Sequence, residues 1–113
     1  MSGRAKGSLH YSQDALRDLD DIWDYILLEF SNPEAAAKTV DDIMNAIDKL
    51  VDFPRMGAKL SSIVDVECDY RFLVTGNYMT FSRLEEEDVY IDHILYGKRD
   101  YLRVLFGDGR RTK

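Results

Sequence analysis

The stretch YRFLVTGNYMTFSRLEEEDVYIDHILYGKRD, residues 70–100, decides the fold, because its side chains fall into two sets that alternate with a period of two. Such a period predicts β-strands whose side chains point in turn to the two faces of a sheet. Short loops, of which Gly76-Asn77 is the tightest, join consecutive strands and make them antiparallel neighbours. The three predicted strands lie in YRFLVTG (70–76), NYMTFSR (77–83) and VYIDHILY (89–96).

The two faces of this sheet have different expected environments. One face should cover the helices that precede it in the chain, and the other should be left partly open to solvent or to a partner. In the last strand the period places His93 on the same face as Val89, Ile91 and Leu95. This position favours a packed, hydrogen-bonded core histidine over a catalytic one.

Two helices are predicted before the sheet. From Ser12 to Phe30 apolar residues recur at intervals of three and four, with Ser12 as the N-cap. Asn32 and Pro33 begin a second amphipathic helix, and Pro54 forces Phe53 out of helical geometry. The link between the helices is so short that they should form an antiparallel hairpin. The first helix also carries four aspartates that we interpret as a solvated face rather than a metal site: Asp18, Asp20, Asp21 and Asp24.

The remaining segments complete an α+β fold. Residues 57–69 show no clean period and are predicted to be a loop with a short turn of helix, and KGSLHYS (6–12) is a candidate edge strand that Gly7 weakens. A short helix should follow the last strand. We therefore expect one domain, residues 1–113, in which the helix hairpin packs on a small, mainly antiparallel twisted sheet of three to four strands; residues 1–8 and 107–113 are expected to be flexible ends.

Composition excludes several classes of protein. No stretch reaches the roughly 20 apolar residues of a membrane span, and the N-terminus lacks the pattern of a secretory signal, so we expect a cytoplasmic protein with no membrane partner. The single cysteine, Cys68, excludes an internal disulfide. With only His10 and His93 beside it, a metal site of nitrogen and sulfur ligands is hard to assemble, so we expect no metal and no cofactor.

The net charge of −6 is unevenly distributed. Residues 12–96 hold 7 basic and 19 acidic residues, a net −12, whereas residues 1–11 carry +2 and residues 97–113 carry +4. The body of the protein should therefore repel nucleic acid, and only the two ends favour a phosphate. The alternative is that the basic ends are solvated tails.

The order of these motifs resembles the toxins of the RelE/ParE superfamily, which belong to bacterial type II toxin–antitoxin and plasmid-stabilisation modules. The resemblance runs from about Tyr11 to Asp100. YSQDALRDLDDIWDYI is similar to the family's first helix, FPRMG to the break after its second helix, and residues 70–100 to its three central strands.

The resemblance implies one of two activities. RelE-like toxins are ribosome-dependent endoribonucleases that cut messenger RNA, whereas ParE-like toxins poison DNA gyrase. ILYGKRD is closer to the ParE-like form of the last strand, and an acidic body suits a ribosome-bound nuclease poorly, so both favour the ParE-like branch. In either branch the implied partner is a cognate antitoxin that neutralises the toxin, and a homodimer is compatible with the family. A third interpretation is a member that binds its partner and has lost toxicity.

The nuclease alternative names candidate catalytic residues through the same resemblance. Cleavage at a 2′-hydroxyl needs a cation at the phosphate and groups that transfer protons. Arg71 matches the arginine of the RelE-like YR motif, and Arg99 matches the G-x-R arginine. Tyr101, Tyr96 and His93 are the candidates for proton transfer, although some RelE-like toxins carry their tyrosine further along, where this chain has Leu105 and Phe106. Further phosphate-binding or target-binding candidates are Lys98, Arg83 and Arg103.

Each candidate also has a structural interpretation. Arg71 could pair with Asp69 or Asp92, and Arg103 could be a solvated residue of the terminal helix. Tyr96 and Tyr101 could be packing residues at a sheet edge. Under the functional interpretation, Gly97 ends the last strand and the cations that follow it form a rim that faces the target or an acidic antitoxin segment.

Overall fold

The computed structural model describes residues 7–107 of the chain. Most of the predicted flexible ends, residues 1–6 and 108–113, lie outside the described residues. Two short 3-10 turns, Lys49–Val51 and Leu60–Ser62, accompany the helices and strands. In chain order the helices and strands are β1 (Leu9–Tyr11), α1 (Gln13–Phe30), α2 (Pro33–Asp48), β2 (Ala58–Lys59), β3 (Arg71–Thr75), β4 (Tyr78–Glu85), β5 (Asp88–Tyr96) and α3 (Tyr101–Phe106).

The helix hairpin is confirmed, with both predicted caps. The Ser12 side chain accepts a hydrogen bond from the backbone N–H of Ala15 at 2.9 Å, and Asn32 Oδ1 accepts one from Ala35 at 3.0 Å. Only Ser31 and Asn32 separate the two helices, and Ser31 takes a left-handed conformation with φ 50° that reverses the chain. At the start of each helix, a polar side chain thus accepts a hydrogen bond from a backbone N–H group that has no carbonyl partner within the helix.

The sheet has five strands in the order β1-β5-β4-β3-β2, one more than the upper limit predicted. The three predicted strands are antiparallel neighbours, and the candidate edge strand exists as β1, which pairs in parallel with β5. The prediction missed β2 because it is only two residues long and both are exposed, so it leaves no periodic signal. Gly7 was expected to weaken β1. The structure gives a reason for glycine at this position, because a Cβ there would overlap the backbone carbonyl of Glu87.

Hydrophobic side chains pack on both faces of the sheet. The second face is partly open, as predicted: α3 and residues 60–70 cover part of it, while Val74 of β3 stays exposed. We call its buried residues the second-face core: Leu60, Met79, Phe81 and Leu95. The helix-side core joins α1 and α2 to the sheet through Ala15, Leu19, Ile22, Ile26, Ala36, Ile43, Ile47, Leu50, Val89, Ile91 and Ile94.

A β-bulge in β5 corrects the predicted faces of the last strand. The pairing register shifts between Phe81 and Ser82 of β4, where Phe81 pairs with His93 and Ser82 pairs with Ile91, so Asp92 is the extra residue. Beyond the bulge, Ile94 packs in the helix-side core and Leu95 packs on the second face. The predicted set that joined Leu95 to Val89 and Ile91 was wrong because a single inserted residue reverses a period of two.

The Tyr11 hydroxyl gives a stability prediction. Its oxygen is buried and has no hydrogen-bond partner among the described residues, while burial and the nearby carboxylate of Asp48 raise the pKa of Tyr11 to about 12. Because the phenol loses its water without gaining a bond, Tyr11→Phe should hold or raise the free energy of unfolding, by up to about 1 kcal/mol. Urea unfolding checks this. Tyr70→Phe is the control, since that hydroxyl donates to Asp92 and its removal should cost about 1 kcal/mol; equal losses in the two variants would contradict the prediction.

Candidate functional site

The end of β5 forms a basic rim, which we define as residues 96–99. The backbone N–H of Gly97 donates to the Asn77 carbonyl at 2.8 Å, which fixes the rim to the β3–β4 turn. Arg99 N–H then donates to the Tyr96 carbonyl at 2.9 Å, so the chain turns immediately after the strand. A Cβ at Gly97 would lie 3.3 Å from the Asn77 oxygen, so the rim has little room for a larger residue there.

A groove that we call the tyrosine groove lies on the α1 side of the rim. It has a volume of about 140 Å³ and separates α1 from the ends of β4 and β5. The Tyr78 and Tyr96 rings meet edge to face at 5.9 Å, and Tyr25 is 57% exposed beside them. Burial, followed by the neighbouring phenols of Tyr25 and Tyr96, raises the pKa of Tyr78. The groove is also lined by Asp18, Asp21 and Arg99, so the tyrosine rings lie beside charges of both signs.

A second depression lies on the other side of the rim. It has a volume of about 220 Å³, is lined by Val74 and Met79 from β3 and β4, and reaches Lys98. Val74 is 64% exposed, so it adds apolar surface to this depression. The rim therefore lies between two depressions that combine apolar or aromatic walls with a cation.

The two cations of the rim are available to a partner. Lys98 and Arg99 are exposed, and neither has a side-chain hydrogen bond or an ion pair within residues 7–107. The neighbouring Asp100 is used differently: its carboxylate accepts from Arg103 N–H at 3.4 Å and caps α3. Apolar surface with unpaired charge at its border is typical of protein contact sites, in which charge steers the encounter.

The structure brings two of the candidate nuclease residues together: Tyr96 and Arg99 line the tyrosine groove, whereas Arg71 and Tyr101 lie elsewhere. Arg71 lines a different pocket, at the edge formed by β2 and β3. In the sheet register it pairs with Ser82 of β4, whereas Tyr96 pairs with Tyr78 of the same strand. Four residues of β4 separate these two positions, which corresponds to about 13 Å along the strand. A phosphate held by Arg71 would thus lie too far from the rim for Tyr96 to transfer its protons directly.

Tyr101 and Arg103 have structural contacts on α3. The Tyr101 ring packs on Phe81 with ring centres 5.2 Å apart, and it is half-buried in the second-face core. Arg103 Nε lies 3.6 Å from Asp100 Oδ2 on the exposed side of the helix. Of the sequence candidates, the rim therefore gathers Tyr96, Lys98 and Arg99, and it does not gather Arg71, Arg83, Tyr101 and Arg103.

Arg83 belongs to a charged network on the second face. Its Nε donates to Asp92 Oδ2 at 2.7 Å and its Nη1 donates to Glu85 at 2.6 Å, while Tyr70 donates to the same Asp92 oxygen at 2.9 Å. The bond to Asp92 is the main reason why the pKa of Arg83 is raised. Arg71, which was expected to pair with Asp69 or Asp92, instead donates to the carbonyls of Arg55 and Gly57. Arg83 is thus the partner of Asp92.

Tyr70 gives a prediction at alkaline pH. Burial, followed by the hydrogen bond to Asp92, raises the pKa of its phenol from 10.0 to about 12. The folded state therefore prefers the protonated phenol, so this stabilisation is complete below pH 10.0 and is lost as the pH rises through about 12. The free energy of unfolding should fall less steeply between about pH 10 and about pH 12 in Tyr70→Phe than in the wild type. Urea unfolding at both ends of this range checks it, and equal slopes would contradict it.

Asp18 corrects the prediction of a solvated aspartate face. Its carboxylate accepts a hydrogen bond from the Ile94 backbone N–H at 2.9 Å, and His93 Nδ1 lies 2.9 Å from the same oxygen. His93 Nε2 also lies 3.8 Å from Asp14. Asp18 thus joins α1 to the edge of β5 just after the bulge. Its spacing carried a signal that the prediction overlooked, because Asp18 follows Ala15 by three residues and precedes Ile22 by four, and both of these are buried.

Other kinds of site find little support in the described part of the chain. Between Gly7 and Gly107, no group of three or more His, Cys, Asp or Glu side chains is placed to hold a metal ion. None of the helices found in that range is long and apolar enough to cross a membrane. Cys68 packs against the second-face core, as expected for a small apolar side chain.

Comparisons with known proteins first define the class. The fold is similar to a chain of the chromosomal ParDE toxin–antitoxin system from P. aeruginosa, with a TM-score of 0.68 and 27% identity over 80% of this chain and 96% of that one. It is also similar to a chain of the RelBE2 toxin–antitoxin complex from Mycobacterium tuberculosis, with a TM-score of 0.54 and 18% identity over 81% of this chain and 99% of that one. The fold is therefore that of the RelE/ParE superfamily.

The sequence then identifies the branch. The profile of the ParE toxin of the type II toxin–antitoxin system parDE matches residues 9–101, which include the rim. The chain belongs to this ParE toxin family. No curated protein sequence matches it significantly. The predicted superfamily and the preference for its ParE-like branch are both confirmed.

Proposed function

We propose that this toxin inhibits growth by binding DNA gyrase, with the rim as part of the contact surface. The family match over residues 9–101 carries this proposal, because the ParE-like branch is the one associated with gyrase. The rim supports it physically: Lys98 and Arg99 are unpaired within the described residues, and each borders a depression that could receive apolar side chains. Contact with gyrase requires no reacting group on the toxin, so the position of Arg71 and Tyr101 away from the rim does not oppose it.

We also propose that a cognate antitoxin neutralises the toxin in the cytoplasm. Both structural neighbours come from toxin–antitoxin systems, which supports a partner of this kind. An acidic or amphipathic antitoxin segment would suit the rim, since charge complementarity there favours negative groups while the depressions favour apolar ones. Covering the rim would then block contact with the target.

The ribosome-dependent nuclease is the weaker alternative. It assigns several residues to one reaction, but only Tyr96 and Arg99 share the tyrosine groove, and Arg71 lies in the pocket at the β2–β3 edge. Tyr101 points its ring into the second-face core. The similarity to the RelBE2 complex concerns the fold and does not extend to these residues.

The test combines two assays. The full chain is induced in a bacterial host and abundant messages are followed by primer extension, while the purified protein is titrated into a gyrase supercoiling reaction. We expect intact messages and blocked supercoiling. The double variant Lys98→Ala/Arg99→Ala should weaken inhibition by at least about tenfold, because it removes two cations that steer the encounter, and arginine is among the residue types that dominate binding energy in contact sites. Lys38→Ala is the matched control, since Lys38 is exposed and pairs with Asp42 on α2.

The outcomes distinguish the candidate functions. Codon-phased message cuts that disappear in Arg71→Ala and Arg99→Ala, with normal supercoiling, would establish the nuclease and overturn the gyrase proposal. Blocked supercoiling that the rim variant and the control share would retain gyrase as the target but remove the rim from its contact surface. No effect in either assay, with retained binding to the antitoxin, would indicate a member that has lost toxicity.

A further inference from the structure

A second cationic site lies at the edge of the sheet away from the rim. It is a pocket of about 270 Å³ at the β2–β3 edge. Three of its lining residues are basic, Arg55, Lys59 and Arg71, and only one is acidic, Asp69. In a chain with a net charge of −6, a pocket with an excess of two positive charges is an exception to the general surface.

The sheet register places two of these cations directly opposite each other. Lys59 of β2 pairs with Arg71 of β3 in an antiparallel ladder. Opposed residues share a face of the sheet with Cβ atoms about 5 Å apart, and like charges in this arrangement destabilise the pair. No carboxylate within residues 7–107 forms an ion pair with either side chain. The repulsion would be offset if an anion occupied the space between them.

Backbone contacts hold the pocket in place. Arg71 Nη1 donates to the Gly57 carbonyl at 2.8 Å and to the Arg55 carbonyl at 3.3 Å, which fixes the guanidinium and the loop before β2 together. Gly57 approaches β3 so closely that a Cβ there would lie 2.7 Å from the Phe72 carbonyl oxygen. These bonds hold the Arg71 guanidinium in place, so it would need little reorganisation to contact a bound anion.

We propose that this pocket binds a phosphate group, with Arg55, Lys59 and Arg71 as its cationic contacts. Arg55 and Lys59 are exposed and form no ion pair among the described residues, so their ammonium and guanidinium groups can turn toward a ligand. Ser61 also lines the pocket, and its hydroxyl is a neutral donor. Several N–H donors around one tetrahedral anion suit a phosphate, since a guanidinium can contact two of its oxygens at once.

The proposal goes beyond the proposed contact with gyrase, because the pocket shares no lining residue with the rim depressions. Phosphate could reach the pocket as free phosphate or a nucleotide, or as part of a nucleic-acid backbone. The acidic body disfavours long contacts with nucleic acid, whereas a single phosphate needs only the local field of the pocket.

The test is an NMR titration of the purified full chain with sodium phosphate, in which sodium chloride keeps the ionic strength constant. We expect saturable shifts of backbone amides in residues 55–61 and 71. Lys59→Ala and Arg55→Ala should each weaken binding by at least about tenfold, because each removes a charge-assisted contact. The Arg55 variant keeps the backbone carbonyl that Arg71 uses, so the pocket should retain its form. Lys49→Ala removes an equal charge outside the pocket and should leave binding unchanged.

A second titration with a short DNA duplex distinguishes the sources of phosphate. Tighter binding of the duplex that Lys59→Ala abolishes would support a backbone phosphate, whereas binding of inorganic phosphate alone would support a free phosphate or a nucleotide. The proposal is overturned if neither probe produces saturable shifts in the pocket, or if Lys59→Ala and Arg55→Ala bind as tightly as the wild type. Supercoiling inhibition is measured separately, so failure here leaves the gyrase proposal unaffected.

Discussion

Phe81→Ala should lower the free energy of unfolding by about 3–5 kcal/mol, the range for truncating a buried aromatic side chain. The Phe81 ring is fully buried between the sheet and α3, where it packs on Tyr101 at 5.2 Å. Its loss would leave a cavity in the small second-face core and remove the support on which α3 rests. Urea unfolding followed by Trp23 fluorescence measures the loss.

The matched control for this change is Phe53→Ala. Phe53 is 63% exposed after the end of α2, so the same truncation there should change stability by no more than about 0.5 kcal/mol. Amide exchange adds a local measurement: in Phe81→Ala the amides of α3 should lose more protection than those of α1. Similar losses of stability in the two variants would contradict the assignment of Phe81 as the centre of the second-face core.

Asp18→Ala should cost about 3 kcal/mol, which is large for a residue of a helix that otherwise presents aspartates to solvent. The side chain of Asp18 is only 14% exposed. Its carboxylate accepts a hydrogen bond from the Ile94 backbone N–H and lies 2.9 Å from His93 Nδ1. Alanine would leave that backbone N–H without an acceptor inside the protein, and an unsatisfied buried donor costs more than the lost bond alone. The edge of β5 beyond the bulge should then loosen from α1.

Asp24→Ala is the control for this prediction. Asp24 is exposed on the same helix, so its removal should change stability by no more than about 0.5 kcal/mol. The amide of Ile94 provides the direct readout, because its hydrogen exchange should accelerate in Asp18→Ala and stay slow in Asp24→Ala. Equal stability of the two variants would show that the contact with β5 contributes nothing.

The sequence was most informative where local chemistry determines structure. Ser12 and Asn32 both cap helices as predicted. A short polar side chain just before a helix can accept a hydrogen bond from an unpaired N–H of the first turn. The three central strands also form where their period indicates. Each of these signals depends on neighbouring residues, so no knowledge of the tertiary structure was needed.

The sequence failed where the determining contact is distant in the chain. The bulge at Asp92 becomes visible only when β4 is laid beside β5, and it places Ile94 rather than His93 with the helix-side core. The contacts of Asp18 with His93 and Ile94 of β5 join positions 75 and 76 residues apart. The pairing of Arg83 with Asp92 likewise follows from the register of two strands, which replaced the expected pairing with Arg71.

The candidate site was only partly predictable for the same reason. Gly97 and the cations after it mark the rim in the sequence, and the structure places Lys98 and Arg99 there as unpaired side chains within its described range. Tyr25 lines the tyrosine groove only because of the way α1 packs against the sheet, and the residue pattern does not predict that packing. The basic pocket was missed because Arg55 and Lys59 meet Arg71 only through the two-residue strand β2.

The most direct test of the toxin's action is a gyrase cleavage assay with the purified full chain. Gyrase and supercoiled plasmid are incubated with increasing toxin, the complexes are denatured and digested, and linear plasmid is measured. We predict that linear DNA accumulates with toxin concentration, that the cognate antitoxin prevents this, and that Lys98→Ala/Arg99→Ala requires at least about tenfold more protein. Unchanged supercoiling with no linear DNA, at toxin concentrations that arrest growth in the host, would contradict gyrase as the target.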